Sequence, residues 1–114
     1  MQSSLNRLMN ALTSIDGLRV YHYWRPQMNA PFCVWQEDGE ADSFHANNFK
    51  KEQVVTGTVD YFTLVEFDET VDEIQAKLNS IEVLGWRLNS VNYEDDTNMI
   101  HYEWEFEISG NVEI

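Results

Sequence analysis

The side chains able to do chemistry are few and scattered. Three histidines, His22, His45 and His101, fall on different predicted elements. None has a second ligand at the spacing a zinc or iron centre needs. His101 could build a weak site only with a neighbouring chain's histidine, and a solvated strand position is the ordinary expectation. Glu94-Asp95-Asp96 could attract a cation. It lacks the spaced ligands and central glycine of an EF-hand, so it reads as an exposed acidic turn. The single cysteine, Cys33, lies in Phe32-Cys33-Val34-Trp35 without basic neighbours, which predicts a small buried hydrophobe in a reducing compartment. No G-x-S-x-G, phosphate-cradling glycine loop or Cys/His pair is present, and no two carboxylates are marked as a buried acid–base pair. The expectation is a protein without a catalytic site, a metal or a cofactor.

Charge narrows the partners. The 114 residues carry 20 acids against 7 bases, a net charge of −13. Nucleic-acid readers neutralise phosphates with Lys and Arg, so a conventional one is disfavoured. An acidic surface serves solubility, docking onto a basic partner, or a wall to which DNA does not adhere. The N-terminus shows no signal-peptide pattern and no apolar run is long enough to span a membrane, which predicts a cytoplasmic chain.

The elements must be read around Met99–Ser109, M-I-H-Y-E-W-E-F-E-I-S. Ile100, Tyr102, Trp104, Phe106 and Ile108 share one parity, while His101, Glu103, Glu105 and Glu107 share the other. Successive strand side chains point to opposite faces, so this is a strand with an apolar face and an acidic face, central or nearly central in a sheet. Upstream, Ser3 or Ser4 is placed to cap a helix with Leu5, Leu8, Met9, Leu12 and Ile15 at helical spacing, stopped by Asp16-Gly17. Leu18–Trp24 and Phe32–Glu37 are strands around a Pro26–Pro31 loop, the second closed by Glu37-Asp38-Gly39-Glu40. Residues 41–52 resist assignment, with a short strand expected near Ser43–Ala46.

Gln53–Val65 is a long strand in which Gly57 marks a bulge or close approach. Thr70 with Glu73 three residues on is a capping-box pattern for a helix striped by Val71, Ile74, Leu78 and Ile81. Gly85 ends the connection, Trp86–Tyr93 is a strand, and residues 94–98 turn the chain back. One domain spans residues 1–114, with 110–114 as a short tail. Its predicted class is α+β: a single largely antiparallel sheet, with a mixed sheet allowed, and two helices on its apolar face.

From Pro31 to Ile108 the chain resembles small siphophage neck and tail-completion proteins, of the tail-terminator or head–tail joining type. The likeness rests on F-C-V-W-Q-E-D-G at 32–39, the aromatic-x-A-[DN]-N-like segment Phe44-His45-Ala46-Asn47-Asn48, V-D-Y-F-T-L before D-E-T-V-D-E-I-Q-A-K-L, and the closing Tyr102–Ile108 strand. Asn47 stands where an acid is usual, and the stretch after Phe49 is more basic than the pattern. The resemblance implies a non-enzymatic protein that forms a ring at the head-proximal end of the tail tube. Its partners would be copies of itself and tail-tube and neck proteins, first in the bacterial cytoplasm and then in the virion. DNA would pass through the lumen without specific binding.

Three functions from different classes follow. In a phage ring, Phe44, Phe49, Lys50 and Lys51 are expected at a subunit or partner interface, and Glu103, Glu105 and Glu107 form an acidic stripe facing the lumen. On a monomer that stripe is simply the polar face of a sheet. The alternative is an acidic DNA mimic that blocks a host DNA-binding protein. The acids here alternate along a strand and cluster in turns, without duplex-like spacing. A small enzyme or ligand-binding domain would need a deep pocket with a buried ionised pair, and nothing in the sequence predicts one.

Overall fold

The computed structural model describes residues 1–41 and 51–112. In chain order the elements are α1 (Gln2–Thr13), β1 (Val20–His22), β2 (Phe32–Glu40), β3 (Glu52–Thr63), α2 (Glu69–Asn79), β4 (Leu84–Glu94) and β5 (Met99–Asn111). The five strands form one mixed sheet in the order β1-β2-β3-β5-β4, in which only the short β1–β2 pair is parallel. The fold is α+β, as its patterning predicts, and β5 is an internal strand.

Parity decides what each face covers. Trp104, Phe106 and Ile108 of β5 and Val55, Val59 and Tyr61 of β3 share one face and are buried. Onto them pack the apolar stripes of the two helices, Leu5, Leu8 and Leu12 from α1 and Ile74 and Leu78 from α2. Each such side chain, fully buried, stabilises the fold by about 1.5–3 kcal/mol. Cys33 lies in this core, and its burial, with the negative field of Asp60 added, pushes the thiol above its ordinary pKa. No helix among the described residues is long and apolar enough to cross a membrane.

The element ends differ from expectation for identifiable reasons. Neither Ser3 nor Ser4 caps α1, whose N-cap is Met1. Instead the Ser4 hydroxyl donates to the Ser109 carbonyl at 2.8 Å, and the Met1 amino group donates to the Asn111 carbonyl. These contacts tie the start of α1 to the end of β5. Gly110 permits the approach, because a Cβ there would lie 3.0 Å from Met1 Cα. Residues 110 and 111 are therefore paired strand, opposite Gln53 and Glu52, and not tail.

The α2 cap moves from Thr70 to Asp68, whose carboxylate accepts from the Thr70 amide at 2.9 Å. Asp68 is the better-held residue, since it also accepts from the hydroxyls of Tyr61 (2.7 Å) and Thr63 (2.6 Å) on β3. β1 covers only Val20–His22 of the predicted Leu18–Trp24, and at its C-terminal end Tyr23 leaves the strand with a left-handed φ of 69°. β3 stops at Thr63, and β4 begins at Leu84, so Gly85 is a strand residue. Glu37-Asp38-Gly39-Glu40 does not close β2: the strand runs through it, with a bulge between Glu37 and Gly39.

A second small core lies on the opposite face. Phe32, Val34, Phe62 and Met99 are buried there with Tyr21, Met28 and Ala30 packed against them. The segment between β1 and β2, which contains a cis Ala30–Pro31 bond, supplies this cover.

Candidate interaction surfaces

Away from that second core, the face opposite the helices carries the acids. Register sets Glu103 beside Asp60, Glu105 beside Thr58 and Glu107 beside Thr56. All three glutamates thus share one face of an internal strand. Two of them have partners on β4: Glu105 pairs with Arg87 at 2.7 Å, and Glu103 accepts from Asn89 at 2.7 Å. Glu107 is exposed. A depression of about 540 Å³ crosses this region, lined by Asp38, Thr56, Thr58, Arg87, Glu105 and Glu107 among others. Its lining mixes these polar groups with the apolar surface of Trp86 and Phe106, and it is open to solvent.

His101 differs from its expected solvated state. Its Nε2 is 2.6 Å from Asp60, its Nδ1 is 3.6 Å from Glu94, and its ring stacks on Phe62 at 4.1 Å. Arg25 lies over the Phe62 ring and donates to Glu94 at 2.9 and 3.3 Å. Those bonds, against the opposing effect of burial and with help from Thr97, hold the Glu94 carboxyl below its ordinary pKa. Glu94, the first residue of the acidic turn, is thus a structural tie between the 23–31 segment and the β4–β5 hairpin. Asp95 and Asp96 are exposed.

His22 sits apart, stacked on Trp35 at 3.9 Å and 2.7 Å from Glu37. Burial pushes the Glu37 carboxyl up, but hydrogen bonds from His22, the backbone and Tyr23 outweigh it and leave the pKa lowered. No group of three or more His, Cys, Asp or Glu side chains among the described residues is arranged to hold a metal ion.

Of the four residues expected at an interface, Phe44, Phe49 and Lys50 lie outside the described residues, as does His45. Lys51 is exposed where β3 begins, and its carbonyl accepts from the Val112 amide at 2.9 Å.

The opposite end of the sheet carries a surface that sequence reasoning missed. Phe67 is 94% exposed between β3 and α2, alongside exposed Leu64 and Val65. Val91 and Tyr93 of β4 are also exposed. They are paired with Tyr102 and Ile100 and so fall on the helix-bearing face, beyond the helices' cover. Val91 and Tyr93 alternate in the sequence like core residues, so the only signal was that α2 is too short to cover all of β4.

No known family model matches this sequence, and no curated protein does either.

Proposed function

We propose that this chain is a non-enzymatic phage assembly protein, a ring-forming tail terminator or head–tail joiner at the head-proximal end of the tail tube. The observation that carries the proposal is the placement of Glu103, Glu105 and Glu107 on the helix-free face of an internal strand. Repeated around a ring, that face would make a continuous negative wall, along which DNA slides without adhering. The acid–imidazole cluster at Glu94, His101 and Asp60 is consumed by internal pairing, which supports a structural role over a catalytic one. Within this reading the chain assembles in the bacterial cytoplasm, joins the virion, and takes copies of itself and tail-tube and neck proteins as partners.

A DNA mimic is the second reading, because the net charge of −13 suits it. Arg87 and Asn89 speak against it, since they occupy two of the three stripe carboxylates that a DNA-binding target would have to engage.

Electron microscopy of phage particles made with this gene deleted tests the proposal. Overlong or ragged free tails beside filled heads identify a terminator. Tails of normal length with unattached heads identify a joiner. Normal virions overturn both and favour the mimic, which pull-down on a basic host nuclease or repressor would then reveal.

A further inference from the structure

The two edges of the sheet are unlike. β1, on one edge, spans only Val20–His22, and the His22 carbonyl accepts from the Trp24 amide at 2.8 Å. A short edge closed off in this way resists pairing with another chain. β4, on the other edge, runs for 11 residues, and no further strand lies beside it among the described residues. Its sequence, L-G-W-R-L-N-S-V-N-Y-E, contains neither the Lys nor the Pro that blunts an edge. Its one acid, Glu94, is paired with Arg25. In a chain of net charge −13, this strand offers a second copy an approach with little like-charge repulsion.

The backbone of β4 faces that open edge in a definite pattern. The Ser109 amide donates to the Val83 carbonyl at 2.9 Å, which makes Leu84 and Ile108 a non-hydrogen-bonded pair. Alternation from there, carried across the bulge between Leu88 and Ser90, turns the amides and carbonyls of Val91 and Tyr93 outward. Those of Asn92 and Glu94 point to β5. The Val91 and Tyr93 side chains are 48% and 60% exposed, on the helix-bearing face. Residues 90–94 are thus a regular strip whose outward hydrogen-bonding groups and exposed apolar side chains fall at the same two positions.

We propose that this strip pairs with itself in a second copy, antiparallel about a two-fold axis at Asn92. In that register Val91 of each copy lies opposite Tyr93 of the other, and each such pair exchanges two backbone hydrogen bonds. The same pairing sets the Val91 and Tyr93 side chains together on one face, an aromatic–β-branched contact made twice. On the other face Asn92 meets Asn92 and Ser90 meets Glu94, so no like charges stand opposite. A slip of one residue would set apolar against polar positions and outward groups against inward ones, which fixes the register. The two five-stranded sheets become one continuous sheet. This contact is isologous and closes on two copies, so it goes beyond the ring reading and does not depend on it.

Sedimentation equilibrium and oxidative cross-linking of the full chain test it. The wild-type protein should sediment at twice the 13.4 kDa of one chain. Asn92→Cys should form a disulfide dimer at least about tenfold faster than Asn79→Cys, which is exposed on α2. Residues directly opposite at a non-hydrogen-bonded antiparallel site lie within disulfide reach, and native Cys33 is buried and does not compete. Val91→Pro should return the single-chain mass with an unchanged circular dichroism spectrum, because the Val91 amide serves only the open edge. Should proline disturb the strand, Val91→Lys with Tyr93→Lys tests the same point by setting like charges opposite each other. A single-chain mass at every concentration, or Asn92→Cys oxidising no faster than Asn79→Cys, overturns the pairing. A dimer that survives both sets of substitutions overturns it too. A larger assembly in which Asn92→Cys gives no disulfide also overturns it, and leaves the ring reading to the gene deletion. Rapid Asn92→Cys dimerisation with normal virions from the deletion keeps the edge contact and removes the neck assignment.

Discussion

Phe106 and Gly57 are directly paired across β5 and β3, and the ring of Phe106 occupies the space a side chain on Gly57 would need. A Cβ at Gly57 would lie 2.4 Å from Phe106 Cζ and 2.2 Å from the Gln36 carbonyl oxygen. The second of these is backbone and cannot swing aside. Gly57→Ala should therefore destabilise the fold by about 2–4 kcal/mol, through overpacking and a shifted β2–β3 register. Gly85→Ala is the control: its Cβ meets nothing within 4 Å, and the change should fall within about 0.5 kcal/mol. Urea midpoints of the two variants check both statements.

Asp68 joins α2 to β3 through three hydrogen bonds. Asp68→Ala removes the cap and leaves the Tyr61 and Thr63 hydroxyls without their acceptor, an expected loss of about 2–4 kcal/mol. Thr70→Ala, which leaves the Thr70 backbone amide and the Asp68 cap in place, should cost less than about 1 kcal/mol. A reversed order would return the cap to Thr70. Chemical denaturation of both variants decides.

Stability should fall at both ends of the pH scale, for different groups. Burial tends to raise the Asp68 carboxyl, but bonds from Thr63, Tyr61 and Thr70 outweigh it and lower its pKa, and Glu94 is lowered chiefly by Arg25. For both carboxyls the unfolded chain takes up protons first as pH falls. Their contribution is present above the ordinary carboxylate range near about pH 4 and is lost as pH drops through the folded values. Arg25→Gln should flatten the Glu94 share of this acid limb. Tyr61 behaves oppositely: burial first, then its bond to Asp68, raise it to about 12. Its contribution is complete below about pH 10, the unfolded value, and is lost as pH rises through the folded one. Tyr61→Phe should remove that alkaline component, and urea midpoints across pH report both limbs.

Reversing the stripe with Glu103→Lys, Glu105→Lys and Glu107→Lys should leave the fold within about 1 kcal/mol per site, because these carboxylates lie on an open face. In the proposed ring the same change would create a basic wall that holds DNA. Particles should have normal shape but give fewer plaques per filled head, counted by microscopy and titre. Unchanged infectivity would remove the stripe from the lumen.

How much of this was legible varies element by element, with a physical reason each time. Trp104, Phe106 and Ile108 alternate with glutamates, so β5 announced both its type and its faces. Ile74 and Leu78 did the same for α2, because a 3.6-residue stripe is local information. The Asp68 cap was hidden, since what favours it over Thr70 is a pair of hydroxyls from another strand. Glu37–Glu40 has the composition of a turn, and only pairing with β3 turns it into a bulged strand. The second core was equally obscure: Phe62 and Met99 sit on the parity that carries acids elsewhere along their strands, and only the fold of residues 23–31 across that face explains them. The surface around Phe67 depends on where the helices stop covering the sheet, which no single segment encodes.

The order of the strands has a consequence for how the protein is made. β5 is fifth in the chain but fourth across the sheet, seated between β3 and β4. During synthesis β3 and β4 both emerge as open edges, with the slot for Trp104, Phe106 and Ile108 unfilled. Pairing across β3 and β5 joins residues as far apart as Glu52 and Asn111, and the loop-closure entropy of such contacts makes them slow to form. The β4–β5 hairpin is local and can form first, then close on β3 as a unit. Completion of the sheet therefore waits on β5, and until it pairs, the open edges of β3 and β4 have only the chain's negative charge to oppose their pairing with other chains.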